Sequence, residues 1–140
     1  MPRKNIHAYV FGEHGDTSFI PWSGAYVSGV SLDEYYETVK KMGRNVTKID
    51  KDAMLEYVRT SGGQVIANKG ATFYAVSVAV CKLVATILSS SDSVATVSSM
   101  MHGEYGIEDV CLSTLTLVGP KGVQGKIPMR MTKEEVENSK

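Results

Sequence analysis

The stretch His7–Thr17, HAYVFGEHGDT, runs a mostly apolar segment into a glycine and then into a histidine held between Gly12 and Gly15. Ile6 to Phe11 reads as a strand, and Gly12 to Gly15 as the turn that ends it. The glycines let the backbone turn sharply and let a ligand come close. His14 therefore falls where a strand gives way to a loop, a common place for chemistry in α/β enzymes. Imidazole titrates near neutrality and can donate or accept a proton at working pH. His14 is thus a candidate catalytic residue. The same residues also fit a plain polar turn, with Asp16 and Thr17 capping a helix or closing an Asx-type turn.

Outward from this stretch, Ser18 to Ser31 reads as irregular, with Pro21, Trp22 and several glycines. Ser31 and Asp33 look like caps for a short helix through Met42. A second helix starts near Asp50 and turns Met54, Leu55, Val58, Val65 and Ile66 inward. Gly62 and Gly63 predict a kink or break within it. Ala71 to Leu88 is the strongest helical pattern, with Phe73, Val76, Val80, Leu83, Val84 and Ile87 on one stripe. Three strands follow at Val94 to Met101, Asp109 to Val118 and Val123 to Met129, joined by the turns HGEYG and GPKG. Thr132 and Glu135 form a capping box for a last helix. Helices followed by strands predict an α+β fold, with helices packed on an antiparallel sheet.

Composition narrows the function classes. The 140 residues suit one domain, with 43% apolar and 21% charged residues. Fifteen basic and fifteen acidic side chains cancel, so no net charge draws the chain to nucleic acid or an anionic membrane. No apolar run approaches the roughly 20 residues of a membrane span. The start MPRKN lacks a signal-peptide core, and the cytoplasm is the default location. Cys81 and Cys111 read as buried thiols in a reducing compartment, and no spacing suggests a metal site.

The segment NIHAYVFGEHGDTSFIPWS, Asn5 to Ser23, closely resembles the active-site segment of the L-lactate dehydrogenases. KGATFYAVSVAV, Lys69 to Val80, is similar to the substrate-contacting helix start of that family. HGEYGIEDVCLSTLTLVGPKGV, His102 to Val123, resembles its late hairpin, and MTKEEVENSK, Met131 to Lys140, the opening of its C-terminal helix. GEHGD followed by IPWS is specific to this group. The resemblance implies the family's C-terminal substrate-binding fold over residues 1–140, without the doubly wound dinucleotide-binding (Rossmann) domain. No G-x-G-x-x-G follows a strand here, and GPKGVQG has the spacing of a hairpin connection instead. On this reading the chain is somewhat less than half of an enzyme, cut before the active-site strand and again within the last helix.

The resemblance implies roles residue by residue. His14 would be the proton donor and acceptor in the NAD-dependent interconversion of pyruvate and L-lactate. The family's carboxylate partner for that histidine and its two substrate-binding arginines would lie upstream of residue 1. Glu13 and Asp16 are not those groups and read as loop residues bonded to backbone. Thr72 matches a threonine that touches substrate near a helix N-terminus, and without the family it is a helix-start residue with no ligand. Val76 matches a position beside the nicotinamide ring of NAD, and by pattern alone it is core. His7 matches a histidine that binds the phosphate of fructose 1,6-bisphosphate in effector-regulated bacterial members, and by itself it is a solvated surface histidine. His102 lies in a hairpin turn and carries no signal.

The resemblance implies a homo-oligomer, a tetramer in the parent family. Apolar faces left uncovered here imply association or domain swapping of this chain. The alternatives are a malate or other L-2-hydroxy acid dehydrogenase, and a non-catalytic truncated domain that only associates or binds anions. With its partner groups and cofactor-binding half elsewhere, the isolated chain is expected to be inactive.

Overall fold

A computed structural model describes residues 3–138. Two small antiparallel sheets, four α-helices and three short 3-10 turns make up the regular structure of the described residues. Strands β1 (Ile6–His7), β2 (Tyr26–Val27) and β3 (Val30–Ser31) form the first sheet in that order. The second is a meander of β4 (Ser93–His102), β5 (Glu108–Gly119) and β6 (Gly122–Lys126). Helix α1 (Leu32–Lys41) leaves β3 directly and packs back on the first sheet. Helix α3 (Tyr74–Leu88) touches β5, so helices do lie on an antiparallel sheet.

Local chemistry explains most boundaries. Ser31 and Glu34 exchange hydrogen bonds in a capping box that opens α1. The Asp50 side chain accepts from the Ala53 amide at 3.0 Å and opens α2 (Lys51–Lys69). Gly70, at φ +80°, ends α2 in the left-handed conformation that glycine takes without penalty. Thr132 and Glu135 form the second capping box, opening α4 (Lys133–Glu137). At the β4–β5 turn, the amide of His102 donates to the Glu104 carboxylate at 2.7 Å, holding that carboxyl below its usual range.

Several expectations are corrected. Helix α2 runs unbroken through Gly62 and Gly63. Glycine weakens a helix by about 1 kcal/mol per residue without abolishing it, and no proline is present to break the ladder. The face of α2 expected to turn inward is uncovered: Met54, Val65 and Ile66 are exposed, and Leu55 and Val58 only partly buried. The stripe on α3 is likewise largely in solvent, Val80 and Val84 included, although the helix touches β5 and Leu83 is partly buried. Helix α3 starts at Tyr74 rather than Ala71: Phe73, at φ −143°, is its N-cap and makes no side-chain capping bond. Cys81 and Cys111 are exposed thiols, on that bare helix and on the open end of β5. The first strand is only Ile6–His7, β6 stops at Lys126, and the segment read as irregular contains β2 and β3. Two-residue strands lack the alternation that would reveal them.

The core sits where the first loop crosses the second half of β5. Phe11, Phe19 and Leu115 form a buried cluster, with Tyr9, Met129 and Met131 against it. Phe11 is 1% exposed and meets Phe19 edge-on, ring centroids 6.2 Å apart. The Phe11 amide donates to the Phe19 carbonyl at 2.8 Å, and the Phe19 amide returns the bond to Phe11 at 3.0 Å. A single bridge thus pinches the chain between residues 11 and 19 and throws the intervening loop outward.

Candidate active site

The loop thrown out by that pinch carries His14. Gly12 fastens its base a second time: its amide donates to the Ser113 carbonyl at 3.1 Å, and the Ser113 amide donates back to Gly12 at 2.8 Å. Gly12 has φ +94°, where a side chain would be strained, so a glycine is required at this exchange with β5. The Ser18 amide closes the loop on the Gly15 carbonyl at 3.2 Å. No helix follows Asp16 and Thr17, so they cap none.

His14 lines a cavity of about 510 Å³ together with Tyr9, Ser18, Arg59, Thr96 and Ser113. That volume suits a small organic ligand. The walls come from the loop, from α2 and from the β4–β5 pair, three parts of the chain far apart in sequence. Arg59 brings a guanidinium to this wall, and Glu13 a carboxylate. Arg59 Nε donates to the Ser18 carbonyl at 3.0 Å, and its Nη2 donates to the same oxygen.

Thr72 lies outside this cavity. It lines a neighbouring one of about 290 Å³, on the connection between α2 and α3. Ser61 and Gly62 line both cavities, so α2 is the partition between His14 and Thr72. Thr72 precedes α3 rather than standing in its first turn. Val76 is 53% exposed on α3 and belongs to neither cavity wall. It is therefore not core in this structure. His7 is exposed on β1, opposite Tyr26, at the edge of the first sheet. The four residues singled out in the sequence are thus brought to two adjacent cavities, one helix face and one sheet edge.

Sequence reasoning missed Arg59, Thr96 and Ser113. A lone arginine in a helix and polar residues within strands carry no local motif. Only the approach of α2 and β4–β5 to residues 11–19 brings them to the cavity. Among the described residues no group of three or more His, Cys, Asp or Glu could hold a metal ion. No described helix is long and apolar enough to cross a membrane.

Comparison with known proteins follows the same lines. The alpha/beta C-terminal domain of lactate/malate dehydrogenases matches residues 1–140. An L-lactate dehydrogenase of Acetivibrio thermocellus is 38% identical over 134 residues, which is 96% of this chain and 41% of the relative. One from Thermoanaerobacterium saccharolyticum is 40% identical over 134 residues, 96% of this chain and 42% of the relative. The solved L-lactate dehydrogenase of Clostridium thermocellum superposes with a TM-score of 0.82 at 36% identity, over 99% of this chain and 43% of that one. A lactate dehydrogenase from a deep-sea metagenome library shares the fold, with a TM-score of 0.90 at 23% identity. The chain spans well under half the length of these relatives. It belongs to the lactate/malate dehydrogenase family, whose alpha/beta C-terminal domain its residues match from end to end.

Proposed function

We propose that this chain supplies the substrate side of an NAD-dependent oxidoreductase interconverting pyruvate and L-lactate in the cytoplasm, with His14 as proton donor and acceptor. The observation that carries this reading is the placement of His14: a loop fastened twice at its base sets this residue in the wall of a cavity that can admit a small organic ligand. In the reducing direction a ring N–H of protonated His14 hydrogen-bonds the keto oxygen and polarises the carbonyl. As the carbonyl carbon takes the hydride, the oxygen takes that proton, leaving a hydroxyl and a neutral imidazole. Reprotonation from solvent completes the cycle, and in reverse the neutral ring removes the hydroxyl proton.

Thr72, which matches the family's substrate-contacting threonine, lines the neighbouring cavity, and it would reach a substrate at His14 only if the α2 turn at Ser61 and Gly62 gave way between them. Val76 is an exposed apolar side chain of the kind that packs against a flat ring, and it would be this chain's contact with nicotinamide. When bound, NAD supplies or accepts the hydride. The remainder of the dinucleotide finds no glycine-rich phosphate loop here, since Gly119–Gly122 is the turn of the β5–β6 hairpin. His7, exposed at a sheet edge, would offer its imidazole to a phosphate of fructose 1,6-bisphosphate.

The test is absorbance of NADH with pyruvate. The chain alone is expected to give no turnover. Supplied with the part of the Acetivibrio thermocellus relative that it does not span, it is expected to turn over. His14→Asn should then cut the rate by about 10²–10⁴-fold, the usual worth of a positioned acid or base. Turnover that survives His14→Asn undiminished sinks the acid–base assignment.

A further inference from the structure

We propose that Arg59 is the positioning residue that sets the His14 loop against α2, and with it the width of the cavity between them. The proposal rests on the reading of His14 as the acid–base group, and it concerns how that group is held.

Three observations carry it. First, Arg59 Nε donates to the Ser18 carbonyl at 3.0 Å and Nη2 donates to the same oxygen, a two-pronged contact spanning 41 residues of sequence. Second, Ser18 is buried, 6% exposed, and ends the loop whose turn it closes through its amide on Gly15. A buried backbone carbonyl needs a donor, and Arg59 supplies two. Third, α2 has little else to hold it there. Its side chains are exposed or half-buried, none fully buried, and its other marked link to the same region is the Lys51 ammonium 5.7 Å from the Trp22 ring. Among the described residues no carboxylate forms an ion pair with Arg59, so nothing competes with Ser18 for the guanidinium.

The geometry gives the clamp a consequence. Ser18, Arg59, Ser61 and Gly62 all line the His14 cavity, the last two being also the partition from the Thr72 cavity. The Arg59–Ser18 contact therefore fixes the distance between the histidine loop and the partition. A helix without the clamp would drift from the loop while remaining helical. Lysine can keep one charged donor at Ser18 without the forked geometry, glutamine a neutral one, and methionine none.

The experiment uses this chain, labelled for NMR, with Arg59→Met, Arg59→Gln and Arg59→Lys. Far-ultraviolet circular dichroism checks that each variant folds. The readouts are the His14 ring carbon–proton signal at fixed pH and the exchange rate of the Ser18 amide. Loss of a charge-assisted contact is expected to speed exchange at Ser18 about tenfold or more, and to shift or broaden the His14 signal, in Arg59→Met. Arg59→Lys should recover much of both, with Arg59→Gln between. A His14 signal and a Ser18 exchange rate unchanged in folded Arg59→Met or Arg59→Gln overturn the clamp. If Arg59→Met unfolds, the lysine and glutamine variants decide: indistinguishable spectra refute it, and graded spectra support it. These outcomes are independent of turnover, so survival of activity in His14→Asn would fell the acid–base reading without touching them.

Discussion

Phe11→Ala tests whether the His14 loop is held by the core beneath it. Phe11 is 1% exposed, packs edge-on against Phe19 at 6.2 Å, and lies in one cluster with Leu115. Truncating a fully buried phenylalanine costs about 3–5 kcal/mol, the transfer of the ring plus the cavity it leaves. The upper half of that range is expected, because Phe19 also loses its ring partner, worth about 0.5–1.5 kcal/mol. For a chain of this size each kcal/mol moves the melting temperature by about 2–4 °C, so a fall of roughly 8–20 °C is expected. Circular dichroism melts at low protein concentration measure it. Val78→Ala, on the exposed part of α3, is the control and should stay within about 0.5 kcal/mol of the parent. Phe11→Leu should recover a good part of the loss. A Phe11→Ala shift as small as that of Val78→Ala would refute the claim that this cluster anchors the loop.

Glu135 links acid stability to the docking of the C-terminal segment. Burial pushes its carboxyl up, but hydrogen bonds from Ser23 Oγ, the Ser23 amide at 2.9 Å and the Thr132 amide at 2.8 Å hold it below 4.5 on balance. A lowered folded pKa means stability that is present above the unfolded value and lost as pH falls through the folded one. Glu135→Gln should therefore flatten the acid limb below pH 4.5 in urea titrations, and lose about 1 kcal/mol at neutral pH with the capping box. An unchanged acid limb contradicts the assignment. Exposed Val80 and Val84, one turn apart on α3, should drive self-association of the isolated chain. Light scattering should find an oligomer that Val80→Lys with Val84→Lys converts toward monomer, and a monomeric parent would contradict the expectation.

Three of the four α-helix starts were legible because they are local, that of α3 being the exception. Ser31, Asp50, and Thr132 with Glu135 carry their own hydrogen-bond partners within three residues, and the structure has a cap at each. The partner of Ser31 is Glu34, with Asp33 in the first turn and not the cap it was expected to be. The GPKG turn, GEHGD and the three later strands were legible for the same reason. The unbroken α2, the exposed thiols and the two-residue strands were not. Whether Gly62 and Gly63 break a helix, or Cys81 is covered, depends on neighbours that no spacing within the segment reveals.

The sequence by itself determined the capped helices, the later strands, the family and the candidate histidine, because capping, turn chemistry and GEHGD are written in consecutive residues. Only the tertiary structure decided which groups stand around His14. It brought Arg59 to the Ser18 carbonyl, separated Thr72 from His14 by the α2 partition, and left Val76 in the open. Those relations come from the crossing of residues 11–19 over β5 and the approach of α2 to that loop. They join positions about forty or more residues apart, where side-chain reach and packing decide the contact rather than local propensity.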